Sequence, residues 1–294
     1  MTSRLAPLPG EWIDRARRQS FQFEGKPYSG FAGDTISSAL IANGVRSLGR
    51  SFKYHRPRGV MSMANHDANV LFQVGQRLNV RGDVEQLEGG TTVAAVNTIG
   101  GLRNDKARVL DALSAFLPVG FYYKAFHTPS FLANWWERVF RRLAGLGRVD
   151  MTTPRIRTPK RYDFCDVLVV GAGPSGMAAA IAAAEAGASV VLVDENARIG
   201  GSLGYQRGGR MESFTQLEQL SATVASHSNI KVRTATVAAG YYADHWIPLV
   251  DATRITKMRP RSVIVASGVF EQPAVFRNND LPGVMLASAA QRLI

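Results

Sequence analysis

The sequence has very little cysteine, and this scarcity excludes several kinds of chemistry. Cys165 is the one cysteine in 294 residues. One thiol permits no internal disulfide, no four-thiolate iron–sulfur cluster and no C-x-x-C redox pair of the disulfide reductase type. Such sparing use of cysteine is typical of proteins from a reducing compartment, and we expect a cytoplasmic location.

Long hydrophobic runs are also missing. No stretch of 18 or more apolar residues occurs, and the first residues, MTSRLAPLPGEW, lack the apolar core of a secretory signal. We therefore expect no membrane partner.

Acidic residues are in the minority: 23 Asp and Glu face 35 Lys and Arg, a formal net charge of +12. The basic run 137–161 adjoins aromatic residues at helical spacing, which are typical of a packing face rather than of a nucleic-acid surface. We therefore expect no nucleic-acid partner. An acidic protein surface or an anionic small molecule explains the charge better.

The most informative stretch begins with the apolar run Val167–Val170, which predicts a buried parallel strand. Gly171, Gly173 and Gly176 follow with the G-x-G-x-x-G spacing of a dinucleotide-binding turn. The first glycine permits the turn, the second lets a pyrophosphate approach the backbone, and the third lets helix and strand pack closely. An alanine-rich helix is predicted over 177–186, with a helix N-terminus suited to phosphate.

A second predicted strand, 189–193, leads to Asp194, which lies 18 residues after Gly176. An acid about 20 residues beyond the glycines binds the adenosine ribose in this motif. It favours FAD or NAD over NADP, although the nearby Arg198 could still meet a 2′-phosphate. We expect Glu195, Gly201 and Ser202 to contribute to the same side.

Two later segments complete the predicted site. The end of an expected strand, 231–237, places Val237 near the adenine, and Ser267-Gly268 follows another buried strand, 262–266, beside the cofactor. No catalytic residue and no metal ligand is expected. The predicted cofactor-binding residues are Gly171, Ala172, Gly173, Pro174, Gly176, Asp194, Glu195, Gly201, Ser202, Val237, Ser267 and Gly268.

The first hundred residues carry a different pattern. FQFEGKPYSG predicts two short strands around a turn at residues 24–26, and a helix over 35–43 follows, with Asp34 as its N-cap and Gly44 as its stop. Further strands are expected over 69–72 and 92–96. A hairpin that leads into a helix at this spacing is how a small β-grasp domain begins.

We expect four segments: an N-terminal arm (1–19), a β-grasp domain (20–105), a helical connector and linker (106–162) and a nucleotide-binding domain (163–294). The connector should hold helices over 106–116 and 130–143 and a proline-containing linker over 151–160. The basic segment RSFKYHRPRG, residues 50–59, is interpreted as an anion or subunit contact, and its His55 as structural.

The segments RSFKYHRPRGV and LPVGFYYKAFHTPSF and the GAGPSG turn, in this order, resemble alpha subunits of heterotetrameric sarcosine oxidase and of related amine and imino-acid dehydrogenases and hydrogen cyanide synthase. The resemblance implies an α/β fold: an incomplete Rossmann-like FAD/NAD(P)-binding domain preceded by a ferredoxin-like β-grasp domain without cluster cysteines. It implies NAD, more than FAD, in this chain, and FMN at an interface with a beta flavoprotein subunit. Small gamma and delta subunits and oxidative demethylation of sarcosine to glycine are also implied.

Two alternatives remain open. The chain could be an FAD-binding electron-transfer subunit of a related dehydrogenase or of hydrogen cyanide synthase, or a scaffold whose nucleotide has no redox role. The alpha subunits of this family are longer, so we expect a fragment or a split subunit, inactive alone.

Overall fold

The computed structural model describes residues 4–8, 10–117, 120, 130–143, 151, 158–206 and 210–294. The chain divides into two compact units. Unit 1 comprises residues 1–8, 12–153 and 271–294, and unit 2 comprises residues 9–11 and 154–270. Most of the motif 117–131 and of the linker 151–160 lies outside the described residues.

Unit 1 contains a five-stranded mixed sheet in the order β2-β1-β7-β5-β6. The first hairpin turns at Glu24 and Gly25, both with positive φ, and β1 also pairs in parallel with β7. A separate ribbon joins β3 and β4. The strands are β1 (Asp14–Phe23), β2 (Lys26–Ala32), β3 (Gly49–Arg50), β4 (Pro57–Arg58), β5 (Leu71–Val74), β6 (Arg77–Arg81) and β7 (Thr92–Ala95).

Helix α1 (Ile36–Ala42) closes one face of this sheet. Its buried Ile36 and Leu40 join a core that includes Phe23 and Phe72. The N-cap differs from the expected one. Thr35, not Asp34, accepts a hydrogen bond from the Ser38 amide, and Ser38 returns one to the Thr35 amide. This capping box starts the helix one residue later.

Other expected boundaries also shift. Because β1 begins at Asp14, the loose arm is shorter than 1–19. The helix expected over 106–116 is interrupted: a 3-10 turn (Lys106–Arg108), α2 (Val109–Ala112) and another 3-10 turn (Ser114–Phe116) replace it. Helix α3 (Ser130–Leu143) has the predicted bounds.

Unit 2 contains a six-stranded sheet in the order β10-β9-β8-β13-β12-β11. The four strands β10, β9, β8 and β13 run parallel, and β12 and β11 extend the sheet antiparallel. Its elements are β8 (Lys160–Val170), α4 (Pro174–Glu185), β9 (Val190–Val193), α5 (Arg210–Ser226), β10 (Ile230–Arg233), β11 (Val237–Ala238), β12 (Ile247–Val250) and β13 (Ile255–Val265). The expected α/β architecture is therefore confirmed.

The two faces of this sheet are covered by separate apolar clusters. Met177 and Ala180 of α4 pack on Val169 and Leu192, and the other face buries Leu168, Leu249 and neighbouring side chains. Burial on both faces explains why β9, with four buried residues, has a continuous apolar sequence.

Residues 271–294 return to unit 1. Helix α6 (Ala287–Leu293) buries Ala289 in the unit 1 core, and Leu286 and Leu293 pack beside it. The Leu286 amide donates to the Met61 carbonyl at 2.9 Å. In the part of the chain that the structure describes, no helix is long and apolar enough to cross a bilayer.

Candidate functional site

The turn between β8 and α4 shows why three glycines are needed. Gly171 has φ +102°, and a Cβ there would lie 2.3 Å from the Ala266 carbonyl oxygen. A Cβ on Gly176 would lie 1.8 Å from the Gly171 oxygen. The nearest atom to a Cβ on Gly173 is the Gly201 Cα, at 3.9 Å. Two glycines are therefore filled by backbone packing, and Gly173 alone leaves a surface that a ligand can approach.

Helix α4 begins at this surface. Gly173 is its N-cap, Pro174 stands at the first helical position, and no side chain caps the helix. Proline costs nothing there because the first amides of a helix have no partner within it. The following amides and the helix dipole favour an anion at this end.

Asp194, at the end of β9, is held by the backbone around it. Its Oδ2 accepts from the Ala172 amide at 2.7 Å, and its Oδ1 accepts from the Asn196 amide at 2.8 Å and Nδ2 at 2.9 Å. The carboxylate thus ties the glycine turn to the end of β9. Remaining lone pairs on both oxygens can still accept ribose hydroxyls.

The Gly200-Gly201 turn comes against the glycine turn. The Gly200 amide donates to the Ala172 carbonyl at 2.8 Å, and both glycines have positive φ. A Cβ on Gly201 would lie 2.9 Å from the Gly173 Cα. Ser202, half-buried, follows in a short 3-10 turn (Gly201–Gly204) and so lies next to the same surface.

The remaining predicted residues lie at the same carboxyl edge of the sheet. The Thr236 amide donates to the Asp194 carbonyl at 2.9 Å, so Val237, the next residue, lies beside the end of β9. The Ser267 Cα is 3.0 Å from a Cβ built on Gly171. Glu195 and Gly268 are exposed at this edge. The twelve predicted residues therefore belong to three neighbouring strand ends.

The sequence reading missed Asn196. Its amide and side chain both bind Asp194, and its carbonyl accepts from the Ala235 amide at 2.7 Å. An Asp-x-Asn spacing after a buried strand is the available signal, because Asp and Asn side chains bind backbone two residues on.

Cys165 lies on β8, away from solvent. Burial raises the pKa of its thiol to about 11, and its sulfur lies 3.8 Å from the Met258 sulfur. A thiol with such a pKa is a poor nucleophile at neutral pH. Among the described residues, no group of three His, Cys, Asp or Glu side chains could hold a metal ion.

A parallel sheet, a glycine turn that leaves one surface open and an acid at the next strand end define a dinucleotide-binding domain of the oxidoreductase type. Residues 166–272 match the family described as "FAD dependent oxidoreductase". Residues 16–98 match the family described as "2Fe-2S iron-sulfur cluster binding domain".

Curated relatives agree with the resemblance that the motifs predicted. The chain is 37% identical over 98% of its length to the sarcosine oxidase subunit alpha of Rhizobium meliloti (strain 1021), and spans 31% of that protein. It is 32% identical over 96% of its length to the same subunit of Corynebacterium sp. (strain P-1), and spans 27% of it. The resemblance to sarcosine oxidase alpha subunits is confirmed, for a chain that spans about 30% of their length.

A solved structure shows the same fold. L-proline dehydrogenase from P. horikoshii superimposes with a TM-score of 0.62 over 92% of this chain and 44% of that chain, at 19% sequence identity.

The two family descriptions name cofactors that fit the residues differently. The open face of Gly173, below an uncapped helix N-terminus, fits the pyrophosphate of FAD. The preference for NAD gains no support from a family of FAD-dependent enzymes. Residues 16–98 contain no cysteine, so the thiolates that hold a [2Fe–2S] cluster are missing from that segment.

Proposed function

We propose that this chain binds the ADP half of a dinucleotide, FAD in the first place, as part of an oxidoreductase subunit similar to sarcosine oxidase subunit alpha. The observation that carries the proposal is the open surface at Gly173 between two backbone-packed glycines. The pyrophosphate would lie over Gly171, Ala172, Gly173, Pro174 and Gly176, on the amides at the start of α4.

The ribose and adenine would be bound by the neighbouring strand ends. Asp194 and Glu195 would accept ribose hydroxyls, Gly201 and Ser202 would approach from the second turn, and Val237 would contact the adenine. Ser267 and Gly268 would lie beside the pyrophosphate. When bound, FAD supplies hydride and electron transfer. This chain's own residues bind and orient it, and we assign none of them a catalytic role.

The wider assembly follows from the relatives' names. We propose that the complete protein works with other subunits, including a beta flavoprotein and small gamma and delta subunits, in oxidative demethylation of sarcosine to glycine in the cytoplasm. FMN at a subunit interface belongs to the same proposal. We further propose that the 20–105 domain holds no cluster and serves as a packing domain, with 163–294 as the nucleotide-binding part.

The nucleotide itself can be identified directly. The complete protein should be purified with its subunits, its bound nucleotide released by acid and identified by mass. FAD is expected; NAD would restore the preference that the sequence suggested, and a chain that binds neither when each is added would refute the proposal.

The location of the nucleotide needs a variant pair. Gly173→Val fills the open surface, whereas Ala182→Val changes an exposed position on the same helix. We expect at least a tenfold loss of dinucleotide affinity, about 1.4 kcal/mol, from the first variant alone. Equal retention in both would move the nucleotide elsewhere.

A redox role is separable from a scaffold role. Asp194→Ala should lower both dinucleotide retention and turnover of the complex, and Asp194→Asn, which keeps one acceptor oxygen, should lower them less. Lost nucleotide with unchanged turnover would favour the scaffold.

A further inference from the structure

Unit 1 contains a cavity of about 610 Å³ whose lining is strongly basic. A volume of roughly 300–1,000 Å³ is usual for small-molecule sites. The cavity lies between the 50–59 segment and the residues that follow Asp105. Its lining residues are Arg50, His55, Arg56, Pro57, Lys106, Arg108, Val109, Asp111 and Ala112.

The back of the cavity is rigid. The buried His55 Nδ1 lies 2.7 Å from the Asp105 carboxylate, and Arg50 donates to the carbonyls of His55 and Leu102, both at 2.8 Å. Asp105 also accepts from the Ile99 and Ala107 amides. These contacts occupy the Asp105 charge and fix the two sides of the cavity relative to each other.

The rim carries more positive charge than its acids can balance. Arg56 pairs with Asp111 at 2.6 Å, and this hydrogen bond raises the Arg56 pKa. Within the described part of the chain, the Lys106 and Arg108 side chains have no hydrogen-bond or ion-pair partner. Asp111 is the single carboxylate among the lining residues, against four Lys and Arg side chains.

We propose that this cavity is a binding site for a phosphate group of a small molecule, independent of the dinucleotide site in unit 2. Guanidinium groups match phosphate oxygens in two-point hydrogen bonds, and lysine adds a point charge. Lys106 and Arg108 bind the phosphate, and Arg56 joins them when Asp111 releases it. A concave site of this volume suits a small anion better than a protein surface.

The test uses inorganic phosphate, titrated calorimetrically into the full chain at constant ionic strength, with chloride as the balancing salt. Wild-type protein should bind phosphate saturably. Lys106→Gln with Arg108→Gln should weaken binding at least tenfold, whereas Arg103→Gln, an exposed arginine outside the lining, should not. All three substituted side chains are exposed, so matching melting temperatures are expected and should be verified.

The dinucleotide site is a second place where phosphate could bind, and Gly173→Val separates the two. Phosphate binding that survives Gly173→Val and fails in the double Gln variant supports the cavity. Binding that fails in Gly173→Val and survives in the double variant overturns the proposal, as does an absence of saturable binding to the wild-type chain. Either result leaves the dinucleotide proposal to its own experiments.

Discussion

At the scale of single residues, Gly173 and Gly176 are three positions apart and have opposite surroundings. A Cβ on Gly176 would meet backbone oxygen at 1.8 Å, and one on Gly173 would meet nothing nearer than 3.9 Å. We expect Gly176→Ala to lower the free energy of unfolding by about 3 kcal/mol, because backbone atoms must move to accept the methyl group.

Gly173→Ala should change that free energy by less than about 0.5 kcal/mol. Its φ of −74° suits alanine, so the matched substitution isolates the steric cost. Urea unfolding of both variants measures the difference. Equal destabilisation would show that the two glycines do not have separate tasks.

Cys165 gives a second prediction at this scale. Its thiol has a pKa of about 11, raised by burial, so at pH 8 its thiolate should be roughly 100-fold scarcer than that of an unfolded cysteine. Iodoacetamide should therefore label the native chain at least 100-fold more slowly than the urea-unfolded chain. Equal rates would mean that the β8 position opens freely to solvent.

At the scale of elements, the loop from Met61 to Asn69 depends on one carboxylate. Asp67 accepts from the amides of Met61 at 2.6 Å, Ser62 at 3.0 Å and Asn69 at 3.2 Å. Asp67→Ala would leave these amides without their acceptor, and we expect a loss of about 3 kcal/mol of stability.

Asp14→Ala is the control for that loop, because Asp14 is an exposed carboxylate that accepts from one amide, that of Ala16. It should cost under about 1 kcal/mol. Thermal unfolding of both variants gives the comparison. An equal loss in both would mean that water replaces Asp67 without penalty.

The elements also show how far sequence alone leads. Strong periodicity and turn residues predicted the hairpin at Glu24-Gly25, helix α3 and the β8–α4–β9 unit, because their signals are local. The start of β13 was missed, since Pro260 argues against a strand interior. Pro260 is tolerated beyond Met258, the last residue paired with β12.

The site was predictable to the extent that one motif contains it. Glycine spacing gave the turn and the acid, but Asp194 was expected to face the ribose, and the structure binds it to Ala172 and Asn196 as well. The pairing of His55 with Asp105 joins residues 50 positions apart. Such long-range contacts depend on tertiary packing, which no local pattern encodes.

At the scale of the whole molecule, helix α6 is expected to stabilise unit 1 although it follows unit 2 in sequence. Ala289 is fully buried in the unit 1 core. Ala289→Asp places an unpaired charge there, and we expect unit 1 to lose 3 kcal/mol or more, roughly the cost of an uncompensated buried charge.

Gln291→Asp, at an exposed position of the same helix, should cost under about 1 kcal/mol. Hydrogen exchange of the β1 and β5 amides reads the stability of unit 1 specifically. Unchanged exchange in Ala289→Asp would show that α6 is dispensable.

The return of residues 271–294 to unit 1 also affects the order of events on the ribosome. Domains usually fold as they emerge, N-terminal first, at about 5–20 residues per second. Here the first unit stays incomplete until the whole of the second has been translated, a delay of roughly ten seconds at such rates. During that interval the nascent chain must keep the Met61 loop and the adjacent core surface from aggregating, so translation pauses or chaperone binding between residues 154 and 270 would affect yield without changing any contact in the finished protein.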